Sequence, residues 1–407
     1  MVVVGSNPAT PTIGTMTTPL ALYFHWPFCR SKCTYCAFNS VARILRPAEE
    51  RAWVQKLKDS FDWHIRHVLP AEGAFSTPTS LFFGGGTPSL LSPEALQTLI
   101  THVCLPWNCR AESLEITLEA NPETLTEERL QAFAQAGVNR LSLGIQALSA
   151  QDLSTFGRRH SLEQALQALS WTKNIFSNYS ADFLYGRPNQ SLKSWRQELS
   201  QILALECPHL SLYELTLEPH TPLCKKLGNT LPRNTASFLK ATQYLTEETG
   251  YTAYEISNFC QLGMICRHNL AYWRYHDYLG IGPGAHSRLC IGGAKKALTA
   301  YSDPLQWFTS VQQQAGGIEE TILLSPYNSL IEHLLVGLRL KEGLRWTQLI
   351  ASAGPALVST LRGSPLFQKL QEGHFLKITK EGLRTTSKGR AYVDGIVKNI
   401  ADIFPKN

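Results

Sequence analysis

The chain lacks any run near the ~18 consecutive apolar residues that a membrane-spanning helix requires, which excludes stable membrane insertion by a helix. Its start also lacks the basic-then-apolar order of a secretory signal, so a cytoplasmic address is the expectation. Charge of one sign is scarce. The formal net charge is +6 over 407 residues, with no block of like charge on any expected face, so neither nucleic acid nor a membrane surface is an expected partner. With no export signal, the ten cysteines are expected as reduced thiols, and a tight group of them reads as metal-binding or catalytic rather than disulfide-bonded. What the chain does have is 43% hydrophobic residues, enough to bury a core in one large domain and a smaller one.

Residues 1–18 are rich in Pro, Gly, Ser and Thr without a period of 2 or 3.6, and read as a disordered leader, with Met16 a candidate start. From Leu20 onward six short apolar runs alternate with amphipathic segments: LALYFHW, SLFFGG, SLEITLEA, VNRLSLGI, SADFLYG and HLSLYELTLE. Such strand-then-helix units imply an α/β fold with a parallel sheet, either doubly wound or curled toward a barrel, whose ligand sites gather at the carboxyl ends of the strands. The domain with its following segment is expected over residues 19–302. After about Asp303 amphipathic helices, then FLKIT and LRTTSKG around a Lys-Glu-Gly turn, predict a small winged-helix-type module over 303–407.

Cys29, Cys33 and Cys36 stand as C-x3-C-x2-C directly after LALYFHW. Zinc is the plainer reading of clustered thiols, but a structural zinc site closes with four ligands, and no partnering Cys or His pair lies nearby at zinc-finger spacing. An iron–sulfur cluster normally takes four thiolates, so three on one loop leave one iron open to another ligand. On this spacing the chain resembles the radical S-adenosylmethionine (SAM) enzymes. The resemblance implies a [4Fe–4S] cluster whose open iron is chelated by SAM, a 5′-deoxyadenosyl radical formed by reductive cleavage, and the partial (β/α)6 TIM-like barrel of that superfamily.

Gly84-Gly85-Gly86-Thr87-Pro88 follows a strand, where glycines let backbone approach a ligand that any Cβ would obstruct; a plain strand-to-loop turn would read the same way. Glu119 and Gln146 close strands, Arg158 could grip a carboxylate with two hydrogen bonds, and Asp182 sits in an apolar run where an unpaired carboxylate is costly. LYFHWPFCRSKCTYCAF, FFGGGTPS, LEANPE, LGIQALS, GRRH, DFLYGRPNQ, LYELTLEP, YEISNF and HNLAYW together resemble the oxygen-independent coproporphyrinogen III oxidase family from Tyr23 to about Ser287. The resemblance implies SAM contacts from Tyr23, Gly85, Gly86, Thr87, Glu119, Gln146, Arg158 and Asp182. Arg187 and Asn189 stand where the family usually has a GLPGQ-like run.

That family has two branches. Its decarboxylases carry a fourth cysteine two residues after the third, where this chain has Phe38, whereas its heme-chaperone branch has an aromatic residue there and a later HNxxYW motif, here His268 to Trp273. The resemblance therefore implies a chaperone that binds heme, a [4Fe–4S] cluster and SAM and transfers heme to acceptor proteins. His268 is the expected heme ligand, at a site separate from the cluster loop, with Cys266 the alternative. The competing expectation is the oxidase itself, in which the radical abstracts hydrogen from coproporphyrinogen propionates and two of them leave as carbon dioxide.

Overall fold

A computed structural model describes residues 19–69, 77–227 and 235–404; the expected leader lies outside them. All six expected strands form: β1 (Leu20–Trp26), β2 (Ser80–Gly85), β3 (Glu115–Ala120), β4 (Arg140–Gln146), β5 (Tyr179–Tyr185) and β6 (His209–Glu214). They lie side by side in chain order, each parallel to the next, the arrangement that successive strand–helix units with right-handed crossovers produce. Helices α1 (Pro47–His67), α2 (Pro93–Cys104), α3 (Glu127–Gln135), α4 (Leu162–Ile175) and α5 (Leu192–Leu203) connect them. Four of these helices start at a hydroxyl: Ser92, Thr126, Ser161 and Ser191 each accept a hydrogen bond from the backbone N–H three residues on.

A seventh parallel strand, β7 (Asp277–Ile281), pairs with the other side of β1. It leads into an antiparallel run of β8 (His286–Ile291), β9 (Ala294–Ala300) and β10 (Ile318–Leu323). With two short strands beyond β6 the sheet reaches twelve strands, and its end strands are β10 and Thr252–Ala253. The α/β class with six parallel strand–helix units is as expected from the sequence, extended by these antiparallel strands.

Side chains alternate along each strand. Leu22 and Phe24, Leu81 and Phe83, Ile116 and Leu118, Leu141 and Leu143 join the buried core beneath the helices. Between them Tyr23, His25, Phe82, Glu119, Arg140 and Ser142 point the other way, into a cavity. The concave face of the sheet is therefore polar, and its convex face apolar.

The chain changes cores between Val311 and Leu330. Although the composition shifts at about 303, helix α6 (Pro304–Gln312) packs with the sheet domain: Trp307 is fully buried there and stacks on Trp53 at 5.8 Å. The second core begins in α7 (Pro326–Gly337) and takes in Trp346–Ala353, two further helices, the hairpin Leu376–Ile378 with Gly382–Thr385, and the last helix, Val393–Ala401. Glu332 of α7 ties this unit to the sheet by accepting from Arg288 and from the Tyr275 hydroxyl, both at 2.9 Å.

Ending the chain after Leu324 should leave the sheet domain near its full stability. Ending it after Asp303 removes Trp307 and strand β10 and should cost at least about 3–5 kcal/mol, the range for deleting a buried Trp alone. Urea unfolding of the two truncations checks this, and equal stabilities would place residues 304–323 outside the sheet domain's core.

Candidate functional site

The cysteine loop leaves β1 and is held by backbone on both sides. Val41 N donates to Pro27 O and Thr87 N to Phe28 O, while Thr34 is anchored on the far side by its N–H to Phe156 O and its hydroxyl to Thr155 O. The loop thus bridges the ends of β1, β2 and the segment after β4. Cys29, Cys33 and Cys36 all line the cavity, Cys29 buried and the other two partly exposed. Burial pushes the Cys29 and Cys36 thiols up from their ordinary value, so a bound metal centre would have to displace their protons.

Next to the loop, Gly85 has φ +110°, a conformation that glycine adopts readily, and a Cβ there would lie 2.6 Å from the His25 ring. A Cβ on Gly86 would lie 2.8 Å from the Phe28 carbonyl oxygen. The Gly85 N–H donates to Glu119 Oε2 at 3.1 Å. Enclosure in the cavity, then the nearby Asp182 carboxylate, push Glu119 up to about 8, against which the Gly85 hydrogen bond works. Asp182 is likewise raised by burial, though Ser142 and Ser180 each donate to it, at 2.8 and 2.9 Å. Gln146 follows a bulge in the β4–β5 pairing and has φ +75°, which turns it into the cavity. Arg158 donates to Asn121 Oδ1 at 2.7 Å and to Gly144 O at 2.8 Å and reaches the Cys33 sulfur at 3.6 Å. Its Nε has no hydrogen-bond partner among the described residues. Tyr23 completes the wall and hydrogen-bonds His25 Nδ1 at 2.9 Å.

His268 lines the same cavity as the cluster loop, and both face one space of about 1190 Å³. The imidazole stacks on Phe82 at 4.8 Å, and its Nδ1 is hydrogen-bonded to Ser80 Oγ at 3.0 Å. Burial, then the charge of Arg140, lower it to about 3, so the ring is neutral. Cys266 is fully buried and its thiol is turned to Glu115, which removes it from the ligand position considered for it. Arg187, where the family's usual run is broken, is buried and forms a two-pronged ion pair with Glu198 that pins the loop after β5.

Sequence reasoning missed His25, Arg140, Ser142 and Asn121. The signal was present as alternation: Arg140, Ser142, Gly144 and Gln146 occupy every second position of RLSLGIQ, the spacing of one strand face.

The Radical SAM superfamily profile matches residues 23–202. Radical S-adenosyl methionine domain-containing protein 1, mitochondrial, of Danio rerio is 35% identical over 96% of this chain and 89% of its own length. Heme chaperone HemW of Escherichia coli K12 is 39% identical over 67% of this chain and 70% of its own, and that of Synechocystis 34% over 83% and 82%. The chain belongs to the HemW-like family of radical SAM proteins. Among solved structures, coproporphyrinogen III oxidase (HemN) from Escherichia coli, a radical SAM enzyme, shares the fold: TM-score 0.76, 21% identity, 95% of this chain and 91% of that one.

Membership of the superfamily brings a [4Fe–4S] cluster and SAM, and the donors here fit them. Among the described residues no three His, Cys, Asp or Glu side chains gather as ligands of one ion. A single tetrahedral zinc needs that convergence, whereas a cubane takes its thiolates at three different irons. The clefts that a Cβ on Gly85 or Gly86 would fill suit a ligand lying against bare backbone.

Replacing Cys29, Cys33 and Cys36 together by Ser should abolish the cluster while the fold largely survives, because hydroxyls stay protonated and hard. Near-stoichiometric iron and sulfide in the anaerobically reconstituted triple mutant would contradict the assignment. Glu119 offers a pH test. Its folded value of about 8 lies above the usual 4.5, so the folded state holds a proton that the unfolded state has lost, and stability falls as pH rises across that window. Glu119→Gln should flatten the fall in cluster-free protein, as read by urea unfolding at both ends of the window; an unchanged slope would show that the carboxyl ionises as it does in water.

Proposed function

We propose that the protein is a heme chaperone that binds heme, a [4Fe–4S] cluster and SAM and passes heme to acceptor proteins. His268 carries this reading. A buried imidazole held neutral, with Nδ1 tied to Ser80 and Nε2 making no hydrogen bond among the described residues, is in the state that iron ligation requires. The cavity also exceeds the roughly 300–1,000 Å³ of an ordinary small-molecule pocket, which leaves room for SAM and a macrocycle together.

In this reading Cys29, Cys33 and Cys36 ligate the cluster, and Tyr23, Gly85, Gly86, Thr87, Glu119, Gln146, Arg158 and Asp182 hold SAM. When bound, cluster and SAM supply a one-electron reduction that can release a 5′-deoxyadenosyl radical. The chain's own contribution is placement. Gly85 and Gly86 admit the ligand against backbone, and Glu119, protonated at neutral pH, can give up its proton to accept from an ammonium group. Phe38, 65% exposed at the loop, offers no thiol to a radical reaction. Heme acceptors would then meet an apolar side chain at the rim. The proposed address is cytoplasmic, with a mitochondrial one the alternative that the vertebrate relatives' names raise. No helix among the described residues is long and apolar enough to cross a membrane.

The second reading, oxygen-independent coproporphyrinogen III oxidase, draws on the same cavity, since a space that takes heme takes that tetrapyrrole too. One anaerobic assay separates them, using reconstituted protein with SAM and a low-potential reductant. Heme should bind, with coproporphyrinogen III unconverted; protoporphyrinogen formed at enzymatic turnover would favour the oxidase. His268→Ala should weaken heme binding by about tenfold or more, about 1.4 kcal/mol, and shift the Soret band. An unchanged spectrum and affinity would move the ligand elsewhere.

A further inference from the structure

Arg140 belongs neither to the proposed cluster ligands nor to the proposed SAM contacts, and its position is costly. It opens β4, is 1% exposed and lines the cavity. None of its nitrogens donates a hydrogen bond among the described residues, and Nε is sealed from solvent without a partner. A guanidinium out of water requires an acceptor for its fork of N–H groups, because its lost hydration is otherwise uncompensated.

The two carboxylates nearest in charge are committed elsewhere. Glu115 accepts from the backbone N–H groups of Arg267 and His268 at 3.0 and 3.1 Å, closing the start of the short helix that carries His268. Asp182 accepts from Ser142 and Ser180. The neighbouring imidazoles of His209 and His268 are neutral, lowered by burial and by Arg140 itself, and neither supplies negative charge. Arg140 is thus a fixed cation at the cavity floor whose fork is open.

Register places that fork beside the proposed heme ligand. Arg140 is opposite Thr117, Thr117 opposite Phe82, and Phe82 opposite Tyr23, one row across four strands. His268 stacks on Phe82 in that row. Gly85 lies three residues beyond Phe82 on β2 and Gln146 six beyond Arg140 on β4, about 10 and 20 Å at ~3.3 Å per residue, toward the end where the cysteine loop stands, while Tyr23 reaches up from the row itself. The amino acid end of a cluster-bound SAM belongs at that upper end, so the anion for Arg140 comes from the other ligand.

We propose that Arg140 is the receptor for a propionate carboxylate of the tetrapyrrole, gripping it by two parallel N–H···O bonds at the cavity floor. The proposal rests on the heme-binding reading and adds a specificity-determining residue to it. A planar guanidinium matches a carboxylate in a way a lysine ammonium does not, so the site should distinguish free acid from ester.

The test compares iron protoporphyrin IX with its dimethyl ester, by titration of wild-type protein and of Arg140→Gln, each with reconstituted cluster. On wild type the diester should bind about tenfold or more weakly. In Arg140→Gln the free acid should lose about that factor, the diester should scarcely change, and SAM affinity should stay within about twofold. Equal affinity of wild type for the two porphyrins would overturn the proposal while leaving heme binding intact. So would an Arg140→Gln protein that keeps the full discrimination, or one that loses SAM binding instead. Should neither porphyrin bind wild type, the heme reading falls and the proposal with it. If Arg140→Gln fails to fold, the wild-type comparison still decides, because it changes only the ligand.

Discussion

The structure depends on one constraint: strands that bury an apolar face under helices must turn every second side chain onto the concave face, and here those side chains are polar. Buried polar groups need partners. The partners are found where two such groups can meet, across the sheet as Ser142 does with Asp182 and Ser180 with His209 and Ser211, or along one strand as Ser180 does with Asp182. Where they cannot meet, the face is left with Arg140 and with the raised carboxyl of Glu119. Arg140, with no hydrogen-bonded partner among the described residues, and Glu119, held only by the Gly85 N–H, mark the parts of the cavity a ligand has to complete.

The cavity has two ends with different chemistry. At the carboxyl ends of the strands are thiols, bare glycine backbone and a carboxyl of perturbed acidity, an environment for metal and for an amino acid moiety. Toward the amino ends the short helix bearing His268 closes the floor. Glu115 caps that helix through two backbone N–H groups, and Tyr254, hydrogen-bonded to His209 at 3.0 Å, braces it from the side. The imidazole is therefore positioned by three different strands and by a helix end, and it stays neutral because that surround excludes water. The second core joins at the rim through Glu332, so movement of the C-terminal unit would be felt at the wall that holds Tyr275 and Arg288.

Much of this was legible in the sequence. The cysteine spacing, the six apolar runs and the strand-end position of Glu119 and Gln146 needed no three-dimensional information, because each is a local pattern. The remainder depends on contacts distant in sequence. Asp277–Ile281 is too short and too close to HNLAYW to stand out as a strand, and becomes one only through β1. Trp307 looks like part of a helical tail until Trp53, some 250 positions earlier, is found stacked on it. Arg140 reads as an ordinary polar residue opening a strand, and only burial reveals that it makes no hydrogen bond among the described residues. The shared cavity was hidden for the same reason: no one-dimensional distance tells that residues 29–36 and 268 face one space.

The central claim is that a single cavity holds the cluster with SAM at one end and heme iron at the other. Anomalous scattering at the iron edge from crystals of protein loaded with all three tests it most directly. The account predicts two iron centres within this cavity, the cluster at the sulfurs of Cys29, Cys33 and Cys36 and the heme iron at bonding distance from His268 Nε2. Heme iron located outside the sheet's concave face, with the cavity floor filled by solvent, would contradict it.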